Sequence, residues 1–86
     1  MNKQMLQNEI VKTLADAGGH PLLQDVLLSQ VKARMRPIPA QADFDDGMDN
    51  LKRLGFIKVK ENELDPENPY WILDERGEAH ALRNGW

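Results

Sequence analysis

The stretch Pro39-Ala40-Gln41-Ala42-Asp43-Phe44-Asp45-Asp46-Gly47-Met48-Asp49-Asn50-Leu51-Lys52-Arg53-Leu54-Gly55-Phe56 decides how the chain folds. Phe44, Met48, Leu51 and Leu54 recur at helical spacing and form one apolar stripe. Gly47 falls on the same face and would admit a close neighbour. Pro39 suits a first helical turn, where its missing N–H has no intrahelical partner. Gly55 suits a left-handed stop, with Phe56 packing back on Leu51 as in a Schellman cap. The opposite face carries Asp45, Asp46, Asp49, Asn50, Lys52 and Arg53.

Toward the N-terminus, Arg36-Pro37-Ile38-Pro39 is a stiff break, and Ile38 is expected to be buried between this helix and the one before it. That earlier helix is expected from Gln24 to about Met35, with Leu27, Val31 and Met35 inward and Leu28 beside them. Asp25 in its first turn and Lys32, Arg34 and Arg36 near its end suit the helix dipole. His20-Pro21-Leu22-Leu23 reads as extended and fits an edge strand. Residues 2 to 17 read as a first helix, with Leu6, Ile10, Leu14 and Ala17 as its stripe and Met5 and Val11 at the margins. Gly18-Gly19 ends it.

Beyond Gly55 the period changes. Ile57 and Val59 alternate with Lys58 and Lys60, which predicts a half-buried strand. Glu61 to Pro69 is rich in acids and turn formers. Tyr70-Trp71-Ile72-Leu73 predicts the returning strand, with Trp71 and Leu73 inward. Asp74 can cap a short last helix, about Glu75 to Arg83, with Ala79 and Leu82 inward. Asn84-Gly85-Trp86 is expected to be loose unless Trp86 folds back.

A chain of 86 residues makes one domain, 1–86, with a modest core. Cysteine is absent, which removes thiol chemistry and fits a reducing cytoplasm. No apolar run is long enough to cross a bilayer, and the polar start is no signal peptide. Against catalysis, His20 and His80 lie far apart without metal-ligand spacing, and Ser29 and Thr13 have no partner histidine. No carboxylate pair has an apolar setting, and no glycine-rich phosphate loop is present. The chain is therefore read as non-enzymatic, without metal or cofactor.

The order helix, short strand, helix, turn, helix, strand, loop, strand, helix resembles the winged helix-turn-helix superfamily over nearly the whole chain. Leu51-Lys52-Arg53-Leu54-Gly55-Phe56-Ile57 is similar to the L-x-x-L-G-hydrophobic close of a third helix running into a wing. Trp71-Ile72-Leu73-Asp74-Glu75-Arg76-Gly77 is similar to the aromatic-x-L-T-x-x-G passage that ends many wings, with Asp74 in place of threonine. The layout also resembles small winged-helix proteins of Mu-like phages. The resemblance implies an α+β, mostly α fold: a three-helix core with a helix-turn-helix, a two- or three-stranded antiparallel wing and a short C-terminal helix. It further implies a transcription-regulator-like role, with DNA touched by the third helix at Gln41, Asp45, Asp49, Asn50, Lys52 and Arg53.

Charge departs from that expectation. The chain carries 11 basic and 14 acidic residues, net −3, whereas domains that live on phosphate backbones are usually basic. Asp43, Asp45, Asp46 and Asp49 crowd the third helix, and Glu61, Glu63, Asp65 and Glu67 crowd the wing loop. Three accounts follow. Acids early in a helix interact well with its dipole, and Asp49 precedes Arg53 by one turn. Alternatively, Asp43, Asp45, Asp46 and Asp49 with Glu61, Glu63, Asp65 and Glu67 form a docking surface for a basic protein, as in a phage or plasmid accessory factor. On either account the cluster argues against deep insertion into a major groove; the nucleic-acid reading, to which the docking surface is the rival, then gives contact to the cations Lys32, Arg34, Arg36, Lys52, Arg53, Lys58 and Lys60, with Asn50, as a backbone-holding patch that a homodimer would double. The third account is that these cations are scattered and solvated. Tyr70, Trp71 and Trp86 offer a stacking platform for single strands, but aromatics on a wing strand of so small a domain are more often core, Trp71 above all, and Trp86 reads as an interface anchor unless it folds back onto the core.

Overall fold

A computed structural model describes residues 2–86. The elements run α1 (Lys3–Asp16), β1 (Leu22–Leu23), α2 (Gln24–Arg34), α3 (Gln41–Arg53), β2 (Ile57–Lys60), β3 (Tyr70–Leu73) and α4 (Glu75–Arg83). The strands form one antiparallel sheet in the order β1-β3-β2.

Helix α1 starts where Asn2 accepts hydrogen bonds from the backbone N–H groups of Gln4 and Met5 at 2.9 and 3.2 Å. An N-cap of this kind stabilises a helix by about 1 kcal/mol. The helix stops as Gly18 and Gly19 take positive φ. Its buried residues are Leu6, Ile10, Val11, Thr13 and Leu14. They meet Leu27 and Val31 of α2 and Phe44, Met48 and Leu51 of α3 in a core closed by Ile57, Trp71, Leu73 and Ala81. The Thr13 hydroxyl donates to the Glu9 carbonyl at 2.7 Å, so this buried polar group is satisfied.

Helix α2 has no side-chain cap of its own. The wing's return supplies one instead. Gln24 N–H donates to the Pro69 carbonyl at 2.9 Å, and Asp25 N–H donates to Asn68 Oδ1 at 3.0 Å. Trp71 Nε1 donates to Gln24 Oε1 at 3.0 Å, tying the central strand to the same turn. Asn68 thus acts as an N-cap borrowed from 43 residues away. We expect Asn68→Ala to lower stability by about 1 kcal/mol in a denaturant melt, the usual cost of a lost cap.

At the end of α3, Phe56 N–H reaches Leu51 O at 2.9 Å and Gly55 N–H reaches Lys52 O at 3.1 Å, with Gly55 at φ +82°. These are the two bonds of a Schellman stop, as the sequence predicts. Gly47 is buried against α1, but it is not there to avoid a clash. A Cβ on it would sit 3.5 Å from Ile10 Cδ1 and 3.7 Å from Gln7 Cγ, ordinary contact distances. We therefore expect Gly47→Ala to raise stability by about 0.5–1 kcal/mol, read as a higher thermal midpoint, because alanine costs less chain entropy inside a helix.

Several expected placements are corrected. Ile38 is 57% exposed, and Pro39 fills the buried position between helices instead. Pro39 also lies ahead of the helix, whose N-cap is Ala40. Leu54 is 40% exposed: it is the C-cap of α3, and the chain turns away at Gly55 directly after it. Met5 is 59% exposed although Leu6 beside it is buried, because it lies off the face that packs on the core. Val59 shares the Trp71 face but lies on the edge strand, beyond the cover of the helices, and is exposed. In α4 the inward residues are Gly77 and Ala81, while Ala79 is exposed and Leu82 is 80% exposed. Trp86 does fold back: its N–H donates to Ala81 O at 2.9 Å, and its ring meets His80 edge-on at 5.4 Å.

Candidate nucleic-acid interface

Burial of Phe44, Gly47, Met48 and Leu51 fixes the rotation of α3. Gln41, Asp45, Asp49, Lys52 and Arg53 are consequently exposed. Gln41 Nε2 donates to Asp45 Oδ1 at 2.9 Å, holding that carboxylate along the helix. Asp43 and Asp46 turn instead toward α1, where they line a cleft of about 310 Å³ with Lys3, Leu6, Gln7, Gly47 and Asn50. Asn50 is half-buried and committed: its Nδ2 donates to Gln7 Oε1 at 3.1 Å, and its Oδ1 accepts from Arg53. An amide so engaged has little left for reading a base edge.

The other sequence-selected cations fall on two further elements. At the end of α2, Arg34 donates to Asp16 Oδ2 at 2.9 Å and lies 3.8 Å from Glu9 Oε1, so α1 answers its charge. Arg36 Nη1 donates to Lys32 O and Met35 O at 3.1 and 2.8 Å, covering the helix's final carbonyls. Lys58 and Lys60 pair with Ile72 and Tyr70 across the sheet and so share the face away from Trp71 and Leu73. Strand β2 is the edge opposite β1, the strand from which α2 starts.

The wing loop is built from its own polar groups. Asn62 Nδ2 donates to Asn68 O at 3.0 Å, and Asn62 Oδ1 accepts from Leu64 N–H at 3.3 Å. Glu61, Glu63, Asp65 and Glu67 are exposed around a tip where Leu64 is 99% exposed. The two acidic tracts thus stand on the third helix and on the wing, as the sequence places them.

Sequence reasoning missed two cations. Arg76 and Arg83 of α4 line a cleft of about 320 Å³ with Phe56 and Ala79. Arg76 Nη1 donates to Leu54 O at 3.2 Å, which sets its guanidinium beside the end of α3. The signal was available: Arg76, His80 and Arg83 recur at i, i+4 and i+7, one flank of a helix.

An arrangement of three packed helices, a turn from α2 into α3 and an antiparallel ribbon with a loop between β2 and β3 describes one known architecture. The fold is a winged helix. Superposition supports it: the chain matches a solved protein described as a MarR-like transcription regulator from Bacillus cereus with a TM-score of 0.66 and 19% identity, over 92% of this chain and 51% of that one. It also matches a SlyA-like transcription regulator from Listeria monocytogenes with a TM-score of 0.66 and 17% identity, over 93% of this chain and 49% of that one. The winged helix therefore spans about half the length of these solved proteins. No family model matches the chain, and no curated relative does. Among the described residues no helix is long and apolar enough to cross a membrane, and no group of three or more acidic or histidine side chains gathers as a metal site.

Proposed function

We propose that this winged helix is a non-enzymatic regulatory module that associates with nucleic acid by holding its backbone. The observation that carries the reading is the match of nearly the whole chain to transcription regulators. The charge distribution shapes the mode of contact. Asp45 and Asp49 stand on the exposed side of α3, where phosphates flanking a major groove would repel them. Lys52 and Arg53 at the end of α3, Lys58 and Lys60 on the wing's first strand and Lys32 and Arg36 at the end of α2 are the cations left to meet phosphates; Arg34 contributes less, since Asp16 and Glu9 already face it. Backbone contacts position a protein without reading sequence. A homodimer would double the number of phosphates held and so steepen the salt dependence.

The reading is tested by anisotropy titration of a random duplex of about 20 base pairs. Non-specific domains bind with dissociation constants of roughly 1–100 µM at physiological salt, and tighter when salt is lowered. Binding in that range with a steep salt slope and little preference among sequences is the expected result. No binding at about 20 mM salt rejects the reading.

A further inference from the structure

Three clefts among the described residues differ in their chemistry. The α1–α3 cleft mixes Lys3 with Asp43 and Asp46. The cleft between the end of α1 and α4 is apolar, lined by Leu14, Ile72, Leu82 and Trp86 with Glu78 at its side. In the third, lined by Phe56, Arg76, Ala79 and Arg83, every charged residue is a cation. Ion pairs among the described residues involve Arg34 alone, so neither guanidinium in this cleft has a carboxylate within salt-bridge distance.

The cleft follows from how α4 is seated. Burial of Gly77 and Ala81 turns Arg76, His80 and Arg83 to one flank. That flank lies along the turn from α3 into β2: the His80 ring is 5.7 Å from that of Phe56, and Arg76 binds the Leu54 carbonyl. Lys52 and Arg53 are the exposed residues immediately before that turn. Two guanidiniums with no carboxylate in salt-bridge reach therefore line this cleft with Phe56 and Ala79, and the bond from Arg76 to Leu54 O sets one of them beside the residue that follows Arg53.

We propose that Arg76 and Arg83 form a phosphate-holding site for a nucleic-acid backbone, extending the Lys52–Arg53 end of α3 onto α4. Guanidinium forks match phosphate oxygens in pairs, and Arg76 is already oriented by its bond to Leu54 O. The site lies at the opposite end of α3 from its first acidic turn. A local pair of cations of this kind lets a chain of net charge −3 hold a polyanion. This proposal rests on the nucleic-acid reading above.

The test compares Arg83→Gln and Arg76→Gln with Lys12→Gln, which removes the same charge from an exposed position on α1. Affinity for the random duplex is measured by anisotropy between about 20 and 150 mM salt, with circular dichroism confirming the fold. Each arginine variant is expected to weaken binding roughly tenfold at low salt and to reduce the salt slope by about 0.9, while Arg83→Lys recovers most of the affinity. The Arg83 side chain makes no hydrogen bond among the described residues, so its variant separates binding from folding even where Arg76→Gln loosens the turn. Duplex binding that both arginine variants weaken no more than Lys12→Gln does overturns this site and leaves the nucleic-acid reading standing. Absence of duplex binding by the unaltered chain overturns both. Capture of inorganic phosphate without capture of duplex would mark a small-anion site and also overturns the proposal.

Discussion

Gly77→Ala is expected to destabilise the chain by about 3 kcal/mol or more, lowering the thermal midpoint by roughly 12 °C or beyond. A Cβ at this position would sit 2.0 Å from the Phe56 carbonyl oxygen and 3.0 Å from Leu73 Cδ2. The first of these partners is backbone, so no rotamer change relieves the overlap. Helix α4 must retreat by about 1 Å, and the retreat acts on every bond that seats it. Phe56 O accepts from Asp74 N–H at 2.9 Å, and Leu54 O accepts from Arg76 at 3.2 Å. Ala81 is carried on the same helix, and Trp86, beyond its end, is tied to it by the bond to Ala81 O. Helical propensity alone would favour alanine over glycine by about 1 kcal/mol, so the two effects have opposite signs and the measurement decides between them. Against Gly47→Ala the contrast is sharper still. Both glycines are buried within helices, yet one has ordinary contact space at its Cα and the other has a carbonyl. A stabilising Gly77→Ala in a calorimetric scan would show that α4 is not held against the α3–β2 turn.

The same glycine explains why part of the fold was legible and part was not. Leu6, Ile10 and Leu14 of α1, Phe44, Met48 and Leu51 of α3, the left-handed stop at Gly55 and the alternation of Trp71 and Leu73 are local signals, each set by a period or a single φ, and these appear as expected, whereas Leu54 and Ala17 at the helix ends do not stay in the stripes. Helix α4 defeats such a reading because its seat is defined by the smallest residues. Hydrophobicity points to Ala79 and Leu82, whereas backbone proximity selects Gly77 and Ala81. Gly77 belongs to the passage that resembles the end of a wing, and the structure gives its physical reason. Ile38 and Pro39 exchange roles for a related cause: at a stiff break, side-chain direction is set by the neighbouring turns and not by a repeating period. The missing cap of α2 was likewise unreadable, since its partner Asn68 is remote in sequence. At the candidate interface, the sign of α3's outer face was plain from its residues. The involvement of Asn50 with Gln7, the pairing of Arg34 with α1 and the seating of Arg76 against Leu54 O depend on which elements pack together.

Replacing Asp45 and Asp49 by lysine together is expected to tighten duplex binding by tens of fold at about 0.1 M salt and to steepen the salt slope by up to about 1.8. Both carboxylates are exposed on α3, one and two turns before Lys52 and Arg53. A polyanion held at that end of the helix lies within about a Debye length of them, so their charge acts on it with little screening. The double change removes two repulsive charges and adds two attractive ones, and each new lysine that meets a phosphate releases close to one counterion. The cost to folding is small. Asp45 loses only the exposed bond from Gln41, and Asp49 loses no ion pair, since Arg53 bonds Asn50 instead. If nucleic acid instead sat far from α3, the added charge would act only through screened long-range fields, and affinity would rise less than about threefold. If the acidic ridge is instead a surface for a basic protein, the double variant loses that partner while gaining no more duplex affinity than two lysines placed on α1 would give. Titrating both against one duplex across a salt series separates these cases. The slope counts phosphates met, and the intercept reports only how well the chain binds once they are met.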